Sequence, residues 1–227
     1  DMSSGKKTPI VAITMGDPAG IGPEIVLKAV SRHMESRDTT FLLLGDAGIW
    51  RSVRRSIGSS VEPNLVRSTD ELEAGTVNLM SLSSINIEQF QFGHSRPDLG
   101  LISTFYIIKA AELANDGRID ALVTAPISYG VLYEAGYDYP DQSSLLKDHL
   151  HCGRTVPLMV GENVRVASLT SHIPICEVPS ELSEENILSG LHLVNDFMRG
   201  NFGMSQPRIG VSALNPHAGQ KIGRAHV

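Results

Sequence analysis

The sequence predicts an α/β protein, and three observations carry that reading. Short apolar runs alternate with amphipathic stretches along the chain. Gly- and Pro-rich turns mark the changeovers between them. With 227 residues, 41% of them hydrophobic, the chain can build a substantial core, in one large domain or two smaller ones.

The elements follow in order. Residues 10–15 read as a first buried strand, and residues 16–22 as a Gly/Pro loop. Pro23 suits the first turn of a helix whose apolar face is Ile25, Val26, Ala29 and Val30. Residues 41–44 read as a second strand, stopped by Gly45-Asp46. The stretch around Trp50 is helical, and residues 76–80 form another strand. Residues 83–97 are polar, lack a period and read as an extended connection. A helix follows with Leu101, Phe105, Ile108 and Ala111 on one stripe, ending at Asp116-Gly117. Residues 121–125 are a strand running into a turn at Pro126. Residues 157–160 and 164–169 read as paired strands around Gly161-Glu162-Asn163. Ser183 suits the N-cap of a helix that faces Ile187, Leu191, Val194 and Met198 inward. Residues 208–214 read as the last strand. No internal repeat and no linker are visible, so a division into lobes has to interleave segments of sequence.

Composition narrows the function classes. A formal charge of −6 with a pI near 5.7 argues against nucleic acid, whose binding needs a basic face. Arg51, Arg54 and Arg55 read as a solvated helix face. No run of apolar residues is long enough for a membrane span. Cys152 and Cys176 form neither a disulfide framework nor a metal knuckle, and no motif sets a base beside either. A cytoplasmic setting is expected.

Two histidines stand in matched contexts. His172 follows the strand at 164–169, and His217 follows the strand at 208–214, with a helix between. A right-handed crossover would make those strands parallel and bring both histidines to their carboxyl ends, the ligand-binding edge of an open α/β sheet. Two imidazoles there could supply half of a site for a divalent ion. Spacing equally allows each to satisfy the hydrogen bonds of its own loop. His33, His94, His149, His151 and His192 have no partner at ligand spacing; His149 and His151 have helical flanks that place them on different faces.

The loop Gly16-Asp17-Pro18-Ala19-Gly20-Ile21-Gly22-Pro23-Glu24 fails both nucleotide tests. A P-loop needs Gly-Lys-Ser/Thr at the helix start, and a dinucleotide fingerprint opening at Gly20 needs glycine or alanine where Ile25 stands. Its glycines indicate a tight turn and a close backbone approach. Asp17 and Glu24 are candidates for a general base by position alone, with helix capping the simpler role. The catalytic base stays unknown.

Taken together, Thr14-Met15-Gly16-Asp17-Pro18-Ala19-Gly20-Ile21-Gly22-Pro23-Glu24, Val123-Thr124-Ala125-Pro126-Ile127, Ser171-His172-Ile173-Pro174 and Leu214-Asn215-Pro216-His217-Ala218-Gly219 resemble the 4-hydroxythreonine-4-phosphate dehydrogenase family of vitamin B6 biosynthesis. The likeness runs over residues 9–219. It implies two α/β lobes related to the isocitrate and isopropylmalate dehydrogenases, an active site in the cleft between them, and a homodimer. It also implies oxidation of a secondary alcohol by NAD or NADP, followed by loss of carbon dioxide, with a divalent metal (zinc, cobalt or magnesium). His172 and His217 match two of the family's three metal-binding histidines.

Two departures from the family pattern stand out. Asp141-Gln142-Ser143-Ser144 occupies the place of a Gly-His-Thr-Glu loop whose His and Thr touch substrate, so the resemblance assigns substrate contact to Gln142 and Ser143. Tyr129 stands where a lysine is common. Gln142 donates a hydrogen bond without carrying charge, and Ser143 keeps a hydroxyl. Both changes weaken the case for an anionic phosphate there. A relative acting on a sugar-acid phosphate or a carboxylated cis-dihydrodiol is the alternative to 4-phosphooxy-L-threonine. The second departure is at the chain's end, where Ile222-Gly223-Arg224-Ala225-His226-Val227 is one translation of a common short-read sequencing adapter. Residues 222–227 are therefore expected to be non-native, with residues 1–221 the N-terminal part of the dehydrogenase. The third metal histidine and most of the cofactor segment would lie beyond it. A third reading follows, in which this chain alone is inactive.

Overall fold

Apolar and β-branched residues suit a pleated, half-buried surface, and residues 10–14 are of this kind. In the computed structural model, which describes residues 8–33 and 38–217, they form strand β1 (Ile10–Thr14). The expected tail at 222–227 lies outside the described residues. The chain divides into two compact units, residues 1–153 and 154–227.

The first unit continues with α1 (Gly22–His33), β2 (Thr40–Asp46), α2 (Ala47–Ile57), β3 (Asn64–Val66), β4 (Val77–Ser83), α3 (Pro97–Asn115), β5 (Ala121–Thr124), α4 (Tyr129–Glu134) and α5 (Gln142–His149). Its five strands lie in the order β3-β4-β2-β1-β5, and every pairing is parallel. The strand period of two sorts the side chains. Ile13, Leu43, Val77 and Leu79 pack with Val26, Leu27 and Val30 of α1 and with Ile49, Trp50 and Val53 of α2. Ala12, Leu42, Leu44 and Met80 pack with Ala110 and Leu113 of α3. Leu42, Leu43 and Leu44 in β2 are all at 0% exposure, each contributing about 1.5–3 kcal/mol by burial.

Helix α2 begins at a built cap. Asp46 accepts hydrogen bonds from the Gly48 and Ile49 N–H groups at 2.8 and 3.0 Å, satisfying donors that the first helical turn leaves free. Its second oxygen accepts from Ser83 Oγ at 2.9 Å and Ile85 N at 2.8 Å. The helix ends at Gly58, whose φ of 65° and N–H bonds to the Arg54 and Arg55 carbonyls close the last turn.

Two helix faces differ from the sequence expectation. Helix α1 buries Val26, Leu27 and Val30, while Ile25 and Ala29 are exposed. Helix α3 buries Leu99, Ser103, Tyr106, Ile107, Ala110 and Ala111, and leaves Leu101 and Phe105 exposed. Both stretches carry apolar residues on more than one face, so a period count picks a stripe without knowing which one the sheet will cover. In α3 the true face includes polar residues: Ser103 and Thr104 turn their hydroxyls back to the Gly100 carbonyl and are buried with their hydrogen bonds made.

In the second unit, β6 (Leu158–Val160) and β7 (Arg165–Ala167) form the expected antiparallel hairpin, with α6 (Val178–Glu181) and α7 (Glu184–Phe202) following. Ser183 caps α7 by accepting from Asn186 N at 3.1 Å. The α7 face is as expected: Met198 is buried and Ile187, Leu191 and Val194 are half-buried. Gly190 lets the helix approach Leu169 closely; a Cβ there would lie 2.3 Å from its Cδ2. Residues 208–214 are not a strand. Among the described residues they have no ladder partner, and Val211 and Leu214 remain about 60% exposed. Alternating apolar residues create a strand only where a neighbouring edge accepts the hydrogen bonds. No helix among the described residues is long and apolar enough to cross a membrane.

Candidate functional site

The chain leaves β1 toward β2 on one side of the sheet, while β5, reached from β4, lies on the other side of β1. Their exits therefore diverge, and an open α/β sheet binds ligands in the crevice outside the carboxyl ends at such a switch point. Here the loop after β1 and the turn after β5, both in the first unit, meet at that switch point.

Close backbone approach joins the two. Gly16 has φ +71°, and a Cβ on it would lie 2.3 Å from the Pro126 carbonyl oxygen. The Asp17 N–H donates to that same oxygen at 3.0 Å. Gly22 is confined as well, since its Cβ would lie 2.2 Å from the Met15 carbonyl oxygen. Asp17 is 6% exposed. One of its oxygens accepts from the Ala19 N–H at 2.9 Å, and the other accepts from Ser95 Oγ. The Gly93 N–H donates to the Ala19 carbonyl at 2.8 Å, so the segment before α3 is laced to the same loop. Burial pushes the Asp17 carboxyl above its ordinary value, partly opposed by the Ala19 N–H. Asp17 thus organises a turn and caps no helix. Glu24, in the first turn of α1, pairs with exposed Lys28.

The second wall comes from α4 and α5. Gln142 donates from Nε2 to the Ala125 carbonyl at 3.2 Å, and its backbone N–H donates to the Tyr129 hydroxyl at 3.1 Å. Asp141 caps α5 by accepting from Ser144 N at 2.6 Å. Ser143 is exposed on the first turn. The structure therefore places Tyr129, Gln142 and Ser143 together beside the end of β5. The Thr14 hydroxyl, at the end of β1, is buried with no hydrogen-bond partner among the described residues.

His172 and His217 lie in the second unit, both exposed. His172 has φ +57°, the left-handed region that few non-glycine residues adopt and that clusters at functional sites. The His217 N–H donates to Asn215 Oδ1 at 3.2 Å, a local turn that fixes its backbone. Without a strand at 208–214, the two are not displayed by a strand–helix–strand unit. Among the described residues, no group of three or more His, Cys, Asp and Glu side chains is placed to hold a metal ion. The donor chemistry of two imidazoles suits a divalent cation but falls short of a full ligand set.

Sequence reasoning missed Asp17 as the hub of the loop and Ser95 as its partner. An Asp two residues before an accessible N–H in a Gly/Pro-rich turn is a known turn signal and could have identified the first. Ser95 lies 78 residues away, and no local pattern links the two.

The profile of the family described as "Pyridoxal phosphate biosynthetic protein PdxA" matches residues 37–224. A 4-hydroxythreonine-4-phosphate dehydrogenase of Desulforapulum autotrophicum is 35% identical over 93% of this chain, which spans 63% of that relative's length. A solved 4-hydroxythreonine-4-phosphate dehydrogenase from Burkholderia phymatum superposes with TM-score 0.81 at 29% identity, covering 94% of this chain and 65% of that one. A terephthalate 1,2-cis-dihydrodiol dehydrogenase from Burkholderia xenovorans gives TM-score 0.65 at 26% identity, over 93% of this chain and 63% of that one. The chain belongs to the PdxA family.

Proposed function

We propose that the complete protein oxidises the secondary alcohol of 4-phosphooxy-L-threonine with NAD or NADP, the product then losing carbon dioxide, in pyridoxal phosphate biosynthesis. Family membership carries this reading, because the relatives named above are dehydrogenases. The sheet's switch point between β1 and β5, where open α/β sheets bind ligands, supports it.

In this reading His172 and His217 hold a divalent ion (zinc, cobalt or magnesium), with further ligands from outside the described residues. Such an ion would polarise the substrate's oxygens and stabilise charge that develops on them. Gln142 and Ser143 orient the substrate through amide and hydroxyl hydrogen bonds. The loop held by Asp17 keeps that surface in place. The proposal includes a cytoplasmic homodimer. It also includes a two-lobed architecture like that of the isocitrate and isopropylmalate dehydrogenases, with the active site in the inter-lobe cleft.

A second reading keeps the redox chemistry and changes the substrate to a sugar-acid phosphate or a carboxylated cis-dihydrodiol. The neutral Tyr129–Gln142 pair favours the dihydrodiol over either phosphorylated substrate. The test is reduced-nucleotide absorbance on the complete protein with each substrate, with zinc, cobalt or magnesium and with chelator. Metal-dependent NAD(P)H formation with equimolar carbon dioxide is expected. No reduction with any substrate, metal or nucleotide would contradict the proposal.

A further inference from the structure

We infer that Ser95 and Asp17 form a latch that holds the loop after β1 in its ligand-ready position at the switch point, which makes both of them positioning residues for the reaction. The inference rests on the dehydrogenase reading above and adds to it the side chains that set this loop.

The loop presents a short tip. Gly20 and Ile21 are exposed, whereas Asp17, Pro18 and Ala19 before them and Gly22 and Pro23 after them are buried. Backbone approach fixes the flanks: the Asp17 N–H bonds the Pro126 carbonyl, and Gly22 lies against the Met15 carbonyl. The tip itself hangs on Asp17. The Gly20 N–H donates to the Asp17 carbonyl at 3.0 Å, and the Ala19 N–H donates to Asp17 Oδ1 at 2.9 Å. Two further bonds reach this turn from the segment before α3. Ser95 Oγ donates to Asp17 Oδ2, and the Gly93 N–H donates to the Ala19 carbonyl at 2.8 Å.

Residues 84–96 thereby form a strap between β4 and α3, fastened at each end by a buried carboxylate. At its start Asp46 accepts from Ser83 Oγ and the Ile85 N–H; at its end Asp17 accepts from Ser95. Between them Asn86 caps the single turn Ile87–Gln89 by accepting from the Glu88 N–H at 3.0 Å, and Phe90 meets Phe92 edge-on with centroids 4.8 Å apart. Phe90 packs against the core, but residues 91–94 are exposed and Ser95 is half-buried. The far end of the strap is held by polar bonds more than by apolar burial, so it can open without unfolding the sheet. Removing the Ser95 hydroxyl leaves a carboxylate oxygen buried without its donor, and exposure to water relieves that cost. The open loop then prevails in the free protein, and apparent substrate affinity falls by the fraction that stays competent. Bound substrate seats the loop again. The latch therefore acts on KM more than on kcat.

The test uses the complete protein in two arms, with wild type, Ser95→Ala and Ser95→Thr. The first follows amide hydrogen exchange at Asp17, Ala19, Gly20 and Gly93. In Ser95→Ala these amides should exchange faster by about tenfold or more, the scale of one hydrogen bond to a charged acceptor, while the β2 amides keep their wild-type rates. Unchanged exchange at the loop overturns the inference, as does an equal acceleration in β2, which would mark a global loss of stability. The second arm measures kinetics with whichever of the substrates above the wild type oxidises. Ser95→Ala should raise KM by about threefold or more and hold kcat within about twofold. An unchanged KM overturns the positioning role. Ser95→Thr keeps the hydroxyl and should match wild type in both arms; a Thr variant as impaired as the Ala variant overturns the role of that hydroxyl. If the wild type oxidises nothing while the exchange contrast holds, the dehydrogenase reading falls and the latch stands.

Discussion

Asp17 shows how much one buried carboxyl does at the residue scale. It ties the loop after β1 to the turn at Ala19 and to Ser95. Because burial raises its pKa in the folded state, the native protein holds this proton more tightly than the unfolded chain. Stability therefore falls as pH rises from the unfolded value of 3.8 through the raised folded value. Asp17→Asn removes that slope. In urea titrations the stability of the variant relative to wild type should climb across that window and level off above it; a difference independent of pH would contradict the assignment. Asp17→Ala removes both acceptors and should cost about 1–3 kcal/mol. Gly22 makes a second residue-scale prediction. Gly22→Ala sets a Cβ against the Met15 carbonyl oxygen and should cost about 1–3 kcal/mol by overpacking. Gly58→Ala meets nothing and should cost only the left-handed backbone preference, about 1–2 kcal/mol. Thermal denaturation of the two variants checks the contrast.

At the scale of elements, α2 depends on Asp46, which accepts four hydrogen bonds while 1% exposed. Asp46→Ala should destabilise the first unit by at least about 2 kcal/mol in urea denaturation, more than an exposed cap would. A loss below about 0.5 kcal/mol would contradict the shared role of this side chain. Most element positions were legible in the sequence, because strand and helix periods differ and Gly, Pro and Ser183 mark boundaries. Helix faces were less legible. Tyr106 is fully buried and its hydroxyl lies 2.6 Å from Ser83 Oγ, yet a hydrophobicity count at 101–111 prefers Leu101 and Phe105. Pairing was least legible: residues 208–214 have a strand's composition and no strand's neighbour.

At the scale of the whole molecule, alternating periodicity made the α/β class legible, whereas the crossover rule was applied to residues 164–169 and 208–214, and the sheet's switch point lies instead between β1 and β5. The site was only partly legible. Gly16, Pro126 and Gln142 are far apart in sequence, and only the fold brings them together at the end of β5. His172 and His217 were singled out by motif, and the described residues bring no third ligand to them; His172 shares its left-handed backbone with His151. The metal role proposed for them can be measured without knowing the substrate. The most direct measurement is calorimetric titration of the complete protein with zinc or cobalt, in wild type and in the folded His172→Ala/His217→Ala double variant. Saturable wild-type binding is predicted, with the double variant weaker by more than the roughly 10–100-fold that outer-shell changes cause. Equal affinity in the two proteins would contradict a metal centre built on these histidines.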